Sequence, residues 1–288
     1  MNELQAGFIG LGAIGWAMAG HLKRVGLLAG VANRSAAKAQ AFAQEHGVLG
    51  ATTPGELAAQ CNVIALCVSA DADVLEVTRA IAAQAQPGTI VVDHSTVSSK
   101  TAVEAQKIMR AAGGDFLDAP VSGGVEGAKN GKLSIMVGGD ADALARARPV
   151  LEAYAGRIAH LGGIGAGQNT KAVNQTVIAG IMQGIGEGLA LAEALGLDPA
   201  VLLPTLSGGA AQSWYLDKRG ASAMRNEFSV GFKLALMHKD LGIARDLAAS
   251  AGVGHEVLAK SLADYAELMA QGHGDEDVSA VIRLKRSK

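Results

Sequence analysis

Gly10-Leu11-Gly12-Ala13-Ile14-Gly15 follows the short apolar run Ala6-Gly7-Phe8-Ile9 and precedes Trp16-Ala17-Met18-Ala19-Gly20-His21-Leu22, which can form a helix. A strand, a glycine turn and a helix in that order form the setting in which G-x-G-x-x-G holds a dinucleotide. The first glycine permits the tight turn, the second lets backbone approach a pyrophosphate, and the third lets helix pack on strand. Unpaired N–H groups at the helix start then face the anion. All six residues, Gly10, Leu11, Gly12, Ala13, Ile14 and Gly15, are cofactor-binding candidates. The motif is short and recurs widely, so its meaning depends on the rest of the chain.

Residues 6–10 read as a strand and 13–25 as a helix. Further strands are expected near 28–33, 63–68, 89–93, 115–118, 133–137 and 157–161, with Ala-rich helical stretches between most of them. Such alternation predicts a mostly parallel sheet with right-handed crossovers. From Gln168 to Leu195 there is no proline, and Val173, Val177, Ile181, Ile185, Leu189 and Ala192 recur at helical spacing. That predicts one helix of about 40 Å, at about 1.5 Å per residue. The remainder reads helical, with breaks at Gly196, Pro199, Pro204, Gly208-Gly209, Gly220 and Gly252-Val253-Gly254. The expected architecture is α/β: a mostly parallel sheet domain over 1–165, then an all-helical domain over 166–288, joined by the long helix.

Bulk properties narrow the function classes. A formal net charge of −2 gives no attraction for nucleic acid, and the basic end Arg283–Lys288 reads as a solvated tail. Two cysteines, Cys61 and Cys67, cannot build a disulfide framework, and a reducing cytoplasm fits them. The N-terminal run lacks a basic segment and carries the glycine turn in its middle, so it does not read as a signal peptide. No stretch of about 18 apolar residues is free of polar breaks, so no membrane span is expected. No cluster of His, Cys, Asp and Glu has metal-ligand spacing.

The residue that closes the second strand selects the nicotinamide cofactor. An acidic side chain there would bind the ribose 2′-OH, but this chain has Asn33-Arg34-Ser35. Arg34 can lie against a 2′-phosphate and Ser35 can donate to it, so NADP is preferred and NAD remains possible. The minor alternative makes Arg34 a solvated turn residue and Ser35 a helix N-cap. Two further strand ends, Val68-Ser69-Ala70-Asp71 and Asp93-His94-Ser95-Thr96-Val97, face the ligand edge of such a sheet. Val68, Ser69 and Thr96 are candidate cofactor contacts, Asp71 and Ser98 are expected helix caps, and His94 is expected to be structural.

Three motifs lie downstream. Asp118-Ala119-Pro120-Val121-Ser122-Gly123-Gly124 puts a hydroxyl beside two glycines at a strand end, where successive N–H groups can form an anion nest for a small carboxylate. A plain glycine turn would look the same. Gly165-Ala166-Gly167-Gln168-Asn169-Thr170-Lys171-Ala172-Val173-Asn174-Gln175 opens the long helix. Its Lys171 and Asn174 share one face. A lysine near the positive end of a helix dipole should have a lowered pKa, which suits proton transfer. The last motif is Phe232 with Met237-His238-Lys239-Asp240-Leu241. Taken alone, its Lys-Asp pair reads as a surface ion pair.

In this order and spacing, the four motifs resemble the β-hydroxyacid dehydrogenase family, over essentially the whole chain from Phe8 to about Leu284. The resemblance implies a Rossmann domain, a long interdomain helix and an all-helical domain that helps form a homodimer or homotetramer. It implies Lys171 as the catalytic acid/base and Asn174 as the group holding the substrate. It also implies the substrate carboxylate on Ser122, Gly123 and Gly124, and Phe232 and Lys239 over the cofactor cleft with Asp240 beside them. The Asn-Arg-Ser strand end resembles the NADP-preferring branch.

This chain has Val68-Ser69 where relatives often have Leu-Pro, Ser98-Ser99 where a proline is common, and Gln175 in place of a second Asn, from which little effect is expected. The resemblance implies reversible hydride transfer between NADP(H) and a small β-hydroxy acid or its semialdehyde, chiefly as a semialdehyde or glyoxylate reductase. An NAD-dependent 3-hydroxyisobutyrate-type dehydrogenase is the alternative, and a non-catalytic NADP-binding sensor the alternative from another class. Lys171 argues against an imine reductase, and the length of the helical region against 6-phosphogluconate dehydrogenase. Trp214 and Tyr215 read equally as pocket or core aromatics.

Overall fold

The computed structural model describes residues 4–286 and divides into two compact units, the first ending at Lys171 and the second beginning at Ala172. The first unit runs β1 (Ala6–Ile9), α1 (Ala13–Arg24), β2 (Leu28–Ala32), α2 (Ala36–His46), β3 (Leu49–Gly50), α3 (Pro54–Ala58), β4 (Val63–Leu66), α4 (Asp71–Ala82), β5 (Ile90–Asp93), α5 (Ser99–Ala111) and β6 (Asp115–Asp118). It continues through β7 (Val121–Ser122), α6 (Gly124–Lys129), β8 (Leu133–Val137), α7 (Ala141–Glu152) and β9 (Ala155–His160). Strands β3-β2-β1-β4-β5-β6 form one parallel sheet. The strand order reverses between β1 and β4, and ligands bind beyond the strand ends at such a point. A second sheet, β7-β8-β9, pairs β7 with β8 antiparallel and β8 with β9 parallel.

The six-stranded sheet is buried on both faces because its strands are apolar in both registers. Phe8, Val31, Ala65, Val92 and Leu117 face one layer, packed with Met18 and Leu22 of α1, Phe42 of α2 and Val150 of α7. Ile9, Ile64, Leu66, Val91 and Phe116 face the other, packed with Leu57 of α3, Val74 and Ile81 of α4 and Met109 of α5. With few aromatics available, Ala, Val, Ile and Leu fill these layers.

The long helix α8 spans Ala166–Ala194 and leads into α9 (Pro199–Ser207), α10 (Trp214–Met224), α11 (Leu234–Ser250), α12 (Glu256–Ala270) and a 3-10 helix, Val278–Leu284. The second unit's core joins Ala179, Met182 and Leu189 of α8 to Leu216, Met237, Leu241, Leu262, Tyr265 and Val281. Pro204 and Gly220 lie inside helices and do not end them.

Two expectations need correction. The buried face of α8 is Ala172, Gln175, Ala179, Met182, Gly186, Leu189 and Ala192, so the last two of the expected stripe lie on it, whereas Val173 and Val177 are exposed. A polar member, Gln175, hid the true face from a reading of apolar spacing. The basic end is anchored as far as it is described: Arg286 makes a bidentate pair with Glu193, Lys285 Nζ lies 2.8 Å from Asp264 Oδ2, and Arg283 lies over the Phe228 ring. The 3-10 helix brings these side chains back onto the helical core; Ser287 and Lys288 lie outside the described residues. By length and composition alone α8 could also cross a membrane, a test that the core helix of a globular protein passes as well. Its Val, Ile, Leu, Met and Ala content lifts the mean hydropathy despite Gln175 and Gln183.

Candidate active site

Gly10 has φ of +95°, and a Cβ there would lie 2.1 Å from the Cys67 carbonyl oxygen, so the turn after β1 requires glycine. A Cβ on Gly15 would meet the Gly10 carbonyl at 2.0 Å, which fixes how closely α1 returns to the strand. A Cβ on Gly12 meets nothing within 4 Å. Asn33, just after β2, braces this turn: its Oδ1 accepts from Leu11 N at 3.0 Å and its Nδ2 donates to the Ser35 carbonyl at 3.2 Å.

These residues open onto a cavity of about 420 Å³ at the reversal of strand order. Gly10, Leu11, Gly12, Asn33, Arg34, Ser35, Val68 and Ser69 all line it. Ala13, Ile14, Gly15 and Thr96 do not. Ser35 is the N-cap of α2 by position but makes no side-chain cap bond. The Arg34 guanidinium is largely exposed and lies 3.9 Å from Asp73, which lines the same cavity with Lys38 and Glu76. Asp73 and Glu76 escaped the sequence reading because charges in the first turns of a helix resemble any solvated face.

The loop after β5 is tied down from several sides. Ser98 caps α5 as expected, accepting from Thr101 N at 3.2 Å. Asp71 is not the cap of α4, whose N-cap is Ala70; its Oδ1 instead accepts from Ser98 N and from the Ser98 and Thr101 hydroxyls. Ser95 Oγ accepts from Val68 N at 2.9 Å. His94 is buried as a structural group: Nδ1–H donates to the Ala119 carbonyl at 2.7 Å and Nε2 accepts from the Tyr154 hydroxyl at 2.9 Å. Burial holds its pKa down to about 4.

Ser122 ends β7 half-buried, and Gly123, with φ of +126°, is the N-cap of α6. Lys171 is buried at 6% exposure, and Asn174 lies one turn further along α8. Near the start of that helix, Asp118 Oδ1 accepts from Gly165 N at 2.7 Å and Oδ2 from Gln168 N at 2.8 Å. Burial pushes the Asp118 carboxyl up to about 6 against these lowering hydrogen bonds.

In the second unit, Asn174 Nδ2 donates to Gln175 Oε1 at 2.9 Å, and Gln175 Nε2 donates to Asp240 Oδ2 at 2.8 Å. Asp240 Oδ1 lies 3.0 Å from Lys239 Nζ. The Lys239–Asp240 pair is therefore half inside: Asp240 is buried, while Lys239 reaches outward. Phe232 is half-buried, with its N–H donating to Asp277 Oδ2 at 3.1 Å. Trp214 is exposed at the start of α10 and meets Tyr215 edge-on, while Tyr215 packs against the helical core.

Comparison with known proteins agrees with this architecture. Residues 5–162 match the family model described as the NAD-binding domain of 6-phosphogluconate dehydrogenase. Residues 165–285 match that described as NAD-binding of NADP-dependent 3-hydroxyisobutyrate dehydrogenase. A probable 3-hydroxyisobutyrate dehydrogenase of Mycobacterium tuberculosis is 37% identical, covering 98% of this chain and 97% of its own length. The NAD-dependent L-serine dehydrogenase of Pseudomonas aeruginosa is 35% identical, covering 97% of each chain. The solved structure of Mycobacterium tuberculosis 3-hydroxyisobutyrate dehydrogenase with L-serine superposes with a TM-score of 0.89 at 36% identity, covering 99% of each chain.

Proposed function

The chain belongs to the β-hydroxyacid dehydrogenase family, as an NAD(P)-dependent oxidoreductase of the 3-hydroxyisobutyrate dehydrogenase type, and from that premise we propose that it works on NADP(H) and a small semialdehyde acid or glyoxylate. The observation that carries the cofactor choice is Arg34, Ser35 and Lys38 on the wall of the cavity that also holds Gly10 and Gly12. A cationic wall offers a 2′-phosphate its counter-charge. The open space over Gly12 fits a pyrophosphate approached by backbone. Val68, Ser69, Thr96, Phe232 and Lys239 complete the proposed cofactor contacts.

When bound, the nicotinamide supplies or accepts the hydride. Lys171 Nζ gives a proton to the substrate oxygen during reduction and takes it back during oxidation. The Asn174 amide orients that oxygen, while Ser122 Oγ and the Gly123 and Gly124 N–H groups hold the carboxylate. Fixed orientation is the larger part of the rate. The exposed Val173, Val177 and Leu191 of α8, with Leu195 just after it, support assembly as a homodimer or homotetramer. We place the enzyme in the cytoplasm.

A second reading, NAD-dependent oxidation of a 3-hydroxy acid, is favoured by Asp73 and Glu76 on the same cavity wall and by the relatives' names. A panel of succinic semialdehyde, glyoxylate, tartronate semialdehyde and methylmalonate semialdehyde, each with NADPH and NADH, separates the two. Fast turnover of one member with NADPH supports the reductase. Turnover of methylmalonate semialdehyde with NADH in preference to NADPH, or oxidation of 3-hydroxyisobutyrate or L-serine by NAD with no turnover of the other members, supports the second reading.

A further inference from the structure

We propose that Asp118 and Gln168 are positioning residues that hold the first turn of α8, and so Lys171, against the ends of β5 and β6. The proposal rests on the reading of Lys171 as the acid–base group. Both side chains are buried, Asp118 wholly and Gln168 at 2% exposure.

The first N–H groups of any α-helix lack partners within it and need acceptors from elsewhere. Most helices take these from a serine, threonine or aspartate just before the first turn. Here residue 165 is a glycine, and the acceptor comes from the last residue of β6. Asp118 uses both carboxylate oxygens, one for Gly165 N and one for Gln168 N. A negative charge at that end also complements the helix dipole. The helix is thus capped by the sheet itself, and its start cannot move without uncapping it.

Gln168 adds the second attachment. Its Oε1 accepts from Val97 N at 3.1 Å and its Nε2 donates to the Ser95 carbonyl at 2.8 Å. One side chain therefore spans the backbone on either side of Thr96, a proposed cofactor contact. The contact is close as well as bonded: a Cβ on Gly167 would lie 2.3 Å from the Met136 carbonyl and 2.6 Å from that of Asp118. Lys171 follows Gln168 by three residues, so the two are neighbours on one face of the helix.

Fixing the helix start at four hydrogen bonds fixes the Cα of Lys171. Displacement of a reacting group by about 1 Å can cost about 10²-fold in rate. The role belongs to turnover more than to binding, because neither Asp118 nor Gln168 lines the cofactor cavity.

The test uses the full-length protein with Gln168→Leu and Asp118→Asn, each alone and combined with Lys171→Ala. The expected result is that kcat falls by about tenfold or more in each single variant, while KM and the Kd of NADPH change by less than about threefold. In the Lys171→Ala background the same substitutions add little further loss. Normal kcat in a folded Gln168→Leu variant overturns the proposal, as does a full additional loss when Lys171 is already absent. Hydrogen exchange on the wild type covers the case of a variant that does not fold. The Gly165 and Gln168 amides should be protected as strongly as those of β5 and β6, and loop-like exchange there also overturns the proposal. If Lys171→Ala alone retains turnover, the reading of Lys171 fails, and with it the positioning role; the exchange result still decides whether the clamp exists.

Discussion

Gln175 links Asn174 to Asp240, accepting from the Asn174 amide with its oxygen and donating to the buried carboxylate with its nitrogen. Through Asp240 the chain of contacts continues to Lys239. Little effect was expected of Gln175, which lies beyond Asn174 and stands where relatives often carry a second Asn; instead its longer side chain joins three proposed or neighbouring site residues. Gln175→Leu should raise KM for the carbonyl substrate by about fivefold to tenfold, the loss of one to two net hydrogen bonds. It should also lower stability, because Asp240 loses a buried donor. Steady-state kinetics and a thermal melt check both; an unchanged KM would show that Asn174 is oriented without Gln175.

Arg34 and Asp73 set opposing charges on the cofactor cavity. The pair is exposed at Arg34, so it contributes little to stability, but Asp73 both attracts Arg34 and repels a 2′-phosphate. Asp73→Asn should raise the ratio of kcat/KM for NADPH over NADH by about threefold to tenfold, and Arg34→Ala should lower it by about tenfold. Both effects should shrink with added salt. Equal changes for the two cofactors would remove Arg34 from 2′-phosphate recognition.

His94 and Asp118 act in opposite senses as pH falls. The His94 pKa is held near 4 instead of 6.5, so folding favours the neutral ring; its contribution is present above pH 6.5 and is lost as pH falls towards 4. The Asp118 pKa is raised from 3.8 to about 6, so its contribution is present below 3.8 and is lost as pH rises through 6. Each is worth about 3 kcal/mol over its full range, so the two largely offset each other. Asp118→Asn removes one side of that balance. Its melting temperature should fall more steeply than that of the wild type between pH 6.5 and 4; parallel curves would contradict the assignment.

The parts of the fold that could be read beforehand were those with strong local signals. Short apolar runs such as Val63–Leu66, and Ile90 to Val92 before Asp93, stand out because both faces of a parallel sheet are buried. Leu49–Gly50 and Val121–Ser122 are too short to carry a pattern. At the site, the glycine turn and Asn33-Arg34-Ser35 were legible because they adjoin in sequence and line one cavity. Asp118 and Gln168 were visible within motifs but had no legible role, since their partners lie 47 to 73 residues away. The face of α8 was misread because burial there is carried partly by alanine, glycine and Gln175.

Proton transfer by Lys171 is tested most directly by single-turnover reduction with Lys171→Ala, measured beside its NADPH affinity. Loss of about 10²-fold or more in the chemical step, with NADPH still bound at near-normal affinity, is the predicted result. Near-normal turnover by Lys171→Ala would contradict it and assign the proton to another group.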